Sequence, residues 1–265
     1  MLLLQGCSVT RVAYDNADLF LRWQANSYFD FEGEQSEELD RRIAALLAWH
    51  RAGALPQYAR LAGEASARMR RGIQREDLEW AYDSVKAQVR EALGAVAAES
   101  ADLLDSLTPG QISHFEQRLA EDNRKFVKEQ VQGTVEERHK LRVRRNVERL
   151  EEWFGTLDEV QVERVRRYSA RAPFSAELRD RDRRRRQAEL LVMLRAREAK
   201  QRLAQWTQAW DQGRERVYAD AARATEAEYF DLLLDLDRML TPAQREACAA
   251  RLKKYAELFD SMSRR

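Results

Sequence analysis

The sequence predicts an all-α fold, an elongated multi-helix bundle with at least two long helices and no β-sheet. Three observations carry that expectation. Only 10 Gly and 4 Pro punctuate 265 residues, and Ala, Leu, Glu and Arg dominate, the composition of long helices with few turns. Apolar residues recur at spacings of three and four, and no alternating segment bounded by turn residues reads as a strand. A helix start recurs as a pentad, Leu-(Thr/Asp)-x-x-Gln. A chain of this length can bury a sizeable core.

The helical part opens with YDNADLFLRWQANSYFDF, residues 14–31. Asp15 or Asn16 is the predicted cap, and Leu19, Phe20, Trp23 and Tyr28 are the predicted apolar side. Residues 34–72 read as two helices broken near Gly53 and Pro56, with Gly72 as a stop. Ile73, Leu78, Val85, Val89 and Leu93 continue the rhythm. A middle helix starts at Pro109, with Ile112, Phe115, Leu119 and Phe126 forming an amphipathic seam. If it runs to Phe154, with Gly133 as a soft spot, it reaches roughly 70 Å. A second long segment runs from Ser175 to about Asp211, its first half almost wholly charged. The chain closes with AEYFDLLLDLDRML and a helix from Pro242.

The three pentads are Leu107-Thr108-Pro109-Gly110-Gln111, Leu157-Asp158-Glu159-Val160-Gln161 and Leu240-Thr241-Pro242-Ala243-Gln244. Thr or Asp is the N-cap, Pro suits the first helical position, and Gln three residues on closes a capping box. The leading Leu is placed to staple against Ile112 and Val162, whereas Arg245 is a poor apolar partner for Leu240. Looser copies are Phe31-Glu32-Gly33-Glu34-Gln35 and Ile73-Gln74-Arg75-Glu76-Asp77. Their spacing is too irregular for a solenoid.

Net charge is +1, so bulk charge points to neither a polyanion nor an anionic membrane. Residues 134–186 nevertheless hold 16 basic and 11 acidic side chains, a net of +5. The Arg183–Arg186 run follows Asp180 and Asp182 and lacks stacking aromatics. It reads as a solvated face, with contact to an acidic envelope polymer or polypeptide as the alternative and no nucleic-acid partner. His50, His114 and His139 sit in no metal-ligand spacing, and no nucleophile motif or phosphate loop occurs. No catalytic residue, metal site or cofactor is predicted. Cys248 reads as a small buried helix residue. One stretch stands out: Trp49, His50, Arg51, Pro56 and Tyr58 bring an aromatic, a titratable ring and a guanidinium to one corner. That corner is either packing, with His50 and Arg51 facing the preceding helix C-terminus, or a partner pocket.

Leu4-Gln5-Gly6-Cys7 resembles the lipobox of bacterial lipoproteins, in which the cysteine thiol is acylated before the peptide is cut in front of it. The resemblance implies lipidation at Cys7, a leader remnant at 1–6, a tether at 7–13 and a single α-helical domain at 14–265. Only six residues precede Cys7, none of them Lys or Arg, so a longer leader is expected upstream. Ser8, by the sorting rule of enteric bacteria, implies the inner leaflet of the outer membrane, facing the periplasm. The pentads resemble the LTxxQ motif of periplasmic helical chaperones and stress-response proteins of the Spy and CpxP type. YDNAD, WHRAGALPQY, LTPGQ and LEEWFGTLDEVQ together resemble an uncharacterised family of Gram-negative envelope lipoproteins.

The expected function is non-enzymatic. A membrane-anchored helical protein that binds envelope partners or unfolded polypeptides is expected. A structural spacer or assembly factor between outer membrane and wall is the first alternative, and a hydrolase with a site near His50 the second. Nothing in the sequence sets an oligomeric state.

Overall fold

The computed structural model describes residues 5–264, with side chains from Thr10 onward. Among them are helices and no strand. These are α1 (Gln5–Asp15), α2 (Ala17–Phe29), α3 (Glu34–Trp49), α4 (Leu55–Arg71), α5 (Arg75–Asp105) and α6 (Pro109–Phe126). They continue as α7 (Val135–Phe154), α8 (Glu159–Arg171), α9 (Ala176–Ala196), α10 (Ala199–Gln208), α11 (Arg216–Met239) and α12 (Pro242–Ser263). Single π turns occupy His50–Ala54 and Val127–Val131. The expected leader remnant lies largely outside the described residues, as does the Cys7 side chain. Residues 7–13, expected as a tether, fall within α1.

The expected all-α bundle is present, with one break at the Gly133 soft spot and another, at Arg197, that the sequence did not indicate. The rod of roughly 70 Å does not form. After the second π turn Gln132 is extended, Gly133 takes φ 99° and Thr134 caps a new helix. A left-handed residue there strains any side chain. The segment from Ser175 breaks at Arg197, which adopts φ 56° in a Schellman ending: Glu198 N–H reaches Met193 O and Arg197 N–H reaches Leu194 O. Gly53 and Pro56 do not break the chain either. The backbone stays helical through the first π turn, and Leu55 N–H bonds His50 O.

Each full pentad is a helix start with a closed capping box, at Thr108, Asp158 and Thr241. The glutamines also do something the sequence did not suggest. Gln161 Nε2 donates to Gln244 Oε1 (2.9 Å) while Gln244 Nε2 donates back to Gln161 Oε1 (3.0 Å). Each amide also reaches the carbonyl just ahead of the partner pentad, Gln161 to Met239 O and Gln244 to Thr156 O. Gln111 and Gln35 repeat the arrangement. Gln111 Nε2 donates to Gln35 Oε1 (2.7 Å) and to Asp30 O (3.0 Å), and Gln35 Nε2 donates to Ser106 O (3.2 Å). The looser copy at Phe31–Gln35 is thus a working half of a pair.

In Gln111, Gln161 and Gln244 the oxygen of the amide closes its own cap and the nitrogen clasps a second helix start. A glutamate could do only the first. Thr134 and Glu137 form such a carboxylate box, with Thr134 N–H donating to Glu137 at 2.8 Å.

Each clasp sits on a core. Beside the first, Phe31, Leu39, Ile43, Leu103, Leu107, Ile112, Phe115, Leu191 and Leu194 are buried together. Beside the second, Leu157 and Val165 pack with Leu150, Phe154, Leu232, Leu236 and Cys248. The expected staples therefore form, Leu107 near Ile112 and Leu157 near Val162. Arg245, unsuited to a staple, donates instead to Asp237 Oδ1 (2.5 Å), to Asp237 O (2.7 Å) and to Met69 O (3.1 Å). The most extensive helix pair is α4 with α12. Small residues let the two approach: a methyl at Gly63 would lie 3.9 Å from Ala256 Cβ, and Ser66 Oγ donates to Ala249 O at 2.7 Å.

The face of α2 that is buried differs from expectation. Leu21, Ala25, Tyr28 and Phe29 pack on the first core, while Leu19, Phe20 and Trp23 are 61%, 59% and 64% exposed. Asn16 makes no side-chain cap bond and donates back to Val12 O instead.

Candidate binding groove

The predicted corner assembles, and it is filled. Trp49 ends α3, His50 and Arg51 lie in the π turn, and Pro56 and Tyr58 open α4. His50 caps the helix before it through its backbone N–H, to Leu46 O and Leu47 O, and not through its ring. Its Nδ1 lies 3.1 Å from Tyr14 Oη, a partner from α1. The His50 ring meets Trp49 and Tyr58 edge-on at 6.2 and 5.5 Å. Tyr58 continues the chain of rings to Phe259 at 5.8 Å, and the Arg51 guanidinium lies 5.9 Å from the Tyr14 ring centroid. The corner therefore ties α1 and α12 to the π turn between α3 and α4.

Burial holds the His50 ring below its ordinary pKa of 6.5. The folded state then keeps the ring neutral while the unfolded chain takes up a proton, so its contribution is intact above 6.5 and declines as pH falls below it. In urea unfolding between about pH 7.5 and pH 5.5, wild type should lose more stability than His50→Gln. Parallel pH profiles for the two would overturn this.

The surface beyond the corner was not singled out by its motifs. Helices α4 and α5 are joined by the short link Gly72–Gln74, yet they splay and leave two hollows along their length. The first, about 230 Å³, is walled by Met69, Leu78, Trp80, Trp153, Tyr229 and Leu252 among others. The second, about 350 Å³, lies between Tyr58 and Leu61 on α4 and Val85, Val89 and Ala92 on α5. Tyr82, Val85, Val89 and Val96 are exposed along α5, Val85 at 60%. Their spacings of three, four and seven make one apolar seam, roughly 21 Å long at 1.5 Å per residue. The helical rhythm through Val85 and Val89 was legible in the sequence. That it would face outward was not.

Polar groups guard one end of the first hollow. Asp77, 5% exposed, accepts from Arg68 and Arg71 at 2.6 Å each and from Gln74 N–H at 2.9 Å. Burial alone would raise its pKa, but the Gln74 N–H and the two guanidiniums outweigh it and hold the carboxyl below its usual range. Arg68 also lies 4.0 Å over the Trp80 ring. On the floor, burial pushes the Cys248 thiol up to about 11, so that surface is uncharged and poorly nucleophilic near neutral pH. The arrangement suits an apolar segment with a charge near one end. No group of three or more His, Cys, Asp or Glu side chains suited to a metal occurs among the described residues.

The pentad residues lie away from this groove, as helix starts and clasps. Among the described residues no helix is long and apolar enough to cross a membrane. No curated protein and no solved structure matches the chain significantly. A family model does match, over residues 27–218, a stretch that holds Trp49 to Tyr58 of the corner, all of α4 and α5 and the first clasp whole. The chain belongs to that family, a family of unknown function designated DUF6279.

Proposed function

We propose that this protein is a lipid-anchored, periplasm-facing helical protein of the cell envelope that binds apolar segments of partner or unfolded proteins without catalysing a reaction. The α4–α5 groove is the observation that carries this reading. An apolar seam with three-four-seven spacing, backed by Trp80, Trp153 and Tyr229, is the surface an amphipathic segment needs. Anchoring rests on the likeness of Leu4-Gln5-Gly6-Cys7 to a lipobox. It is supported by the exposed Leu19, Phe20 and Trp23 on the helix that follows α1, since such side chains sit readily at a lipid–water interface.

The spacer reading loses the roughly 70 Å middle rod, and the longest uninterrupted α-helix among the described residues, α5, has 31 residues and extends roughly 46 Å. A hydrolase at His50 would need a substrate beside a ring that Tyr14, Trp49 and Tyr58 already surround.

The purified chain should slow aggregation of a chemically denatured model client. Val85→Asp with Val89→Asp should abolish that effect with an unchanged melting temperature, because both side chains are exposed. Undiminished protection by the double variant would remove the groove from the proposal. In cells expressing the chain from an upstream start, Cys7→Ser should lose metabolic palmitate label. Label retained by that variant would refute the anchor and leave the groove standing.

A further inference from the structure

We infer that a second site, the cleft between α7, the second π turn and the start of α9, binds the phosphate group of a small phosphomonoester. The cleft measures about 400 Å³ and presents five guanidiniums, Arg138, Arg142, Arg145, Arg149 and Arg179, against the carboxylates of Glu129 and Glu137. Glu137 is already held by the Thr134 N–H in its capping box. The excess is cationic.

Two phenylalanines orient these groups from below. Arg142 and Arg138 lie 3.7 and 5.2 Å from the Phe174 ring centroid, and Arg179 lies 5.5 Å from that of Phe126. Stacking on a ring fixes the plane of a guanidinium without itself using an N–H group. Arg142 braces the wall by donating to Ser169 O, Ala172 O and Pro173 O. Arg138 pairs with Glu177 at 2.6 Å, but its Nε is buried without a hydrogen-bond partner. Arg145 makes one long bond, to Gln130 at 3.3 Å.

The N-terminus of α9 adds to the guanidiniums. Ser175 and Ala176 line the cleft, and Ser175 makes no side-chain cap bond at the head of a 21-residue helix. Glu177 in the first turn takes its own backbone N–H and pairs with Arg138, so the N–H groups left at this helix start, with the positive end of the macrodipole, supplement the guanidiniums in holding a phosphate. The neighbouring Arg183–Arg186 run is a different case. Arg183 donates to Asn123 Oδ1, Arg184 and Arg185 bond to Asp180 and Asp182, and Arg186 donates to Trp206 O and Ala209 O. Arg183, Arg185 and Arg186 are largely spent on structure, and only Arg184 remains the exposed, solvated side chain the sequence suggested for the run.

A phosphate dianion matches several converging forks better than a planar carboxylate does. The volume leaves space for a sugar or glycerol attached to it. Such a group could belong to a free sugar phosphate or to a lipid headgroup, and two probes separate these sources. The full-length, unacylated chain is titrated calorimetrically with glucose 1-phosphate. In parallel it is sedimented with phosphatidylcholine vesicles with and without phosphatidic acid.

Binding to at least one phosphomonoester probe is expected, weakened at least about tenfold in Arg149→Gln with Arg179→Gln at an unchanged melting temperature. Glucose 1-phosphate alone would identify a free ligand, phosphatidic acid vesicles alone a lipid headgroup, and both the shared phosphate. Should the double variant fold poorly, Arg145→Gln serves as the second test, with weakened binding again expected. No binding of either probe to wild type at about millimolar concentration, or equal binding by a folded variant, would overturn the inference.

Discussion

Gln161→Glu should destabilise the protein by about 3 kcal/mol although it preserves the helix cap. In wild type Gln161 is 0% exposed. Its Oε1 accepts from Asp158 N–H at 3.0 Å, and its Nε2 donates to Met239 O at 3.1 Å and to Gln244 Oε1 at 2.9 Å. A carboxylate keeps the first bond and cannot make the other two. It would leave two acceptors facing an anion in a water-free setting, each costing roughly 1 to 3 kcal/mol.

Losing the cap alone, by Asp158→Ala, should cost about 1 kcal/mol. That order distinguishes a clasp from an ordinary capping box, and urea unfolding at neutral pH measures it. A smaller loss for Gln161→Glu than for Asp158→Ala would show that the paired amides contribute nothing beyond capping. Gln111→Glu should cost less than Gln161→Glu, because Gln111 is only partly buried. Acid should partly rescue Gln161→Glu, since a protonated carboxyl regains one donor.

What could be read in the sequence was whatever is decided within one helical turn. The boxes at Thr108, Asp158 and Thr241 close as the pentads require, and their leading leucines find Ile112 and Val162. What could not be read was decided by partners far along the chain. The start of α10 is capped by Asp105, whose carboxylate accepts from Ala199 N–H at 2.7 Å and Lys200 N–H at 3.1 Å, across 94 and 95 residues. No local signal marks Arg197 as a helix end.

Helix α2 carries two interleaved apolar sets, and the choice between them falls to the first core. That core takes Leu21, Ala25, Tyr28 and Phe29 and leaves Leu19, Phe20 and Trp23 outside. The candidate groove escaped for a related reason. Val85 and Val89 have the spacing of core residues, and only the splay of α4 from α5 turns them into a surface. Within the corner the residues were identified, but His50's partner, Tyr14, lies 36 positions away.

That splay is held at its closed end by Asp77, so Asp77→Asn should reduce both stability and binding. Arg68 and Arg71 come from α4 and Asp77 from α5, and one carboxylate oxygen receives both guanidiniums. Removing the charge leaves Arg68, only 25% exposed, beside an amide that cannot replace the two ion pairs. The expected cost is about 2 kcal/mol, below that of a wholly buried pair because the Arg71 side chain is 52% exposed.

The pH dependence has a definite sign. The folded carboxyl titrates below its ordinary value of 3.8, so its contribution is present above 3.8 and is lost as pH falls through the lower, folded value. Wild type should therefore weaken in acid more steeply than Asp77→Asn, and coincident acid limbs would exclude the carboxylate as the cause. Arg68 keeps Glu64 as a partner at 2.7 Å but also stacks on Trp80 in the hollow wall, so loosening its other end alters the groove itself. At temperatures where the variant is still folded, client protection should fall along with a shifted Trp fluorescence. Full protection with the stability loss intact would mean that Asp77 fixes the hairpin but not the shape of the surface it frames.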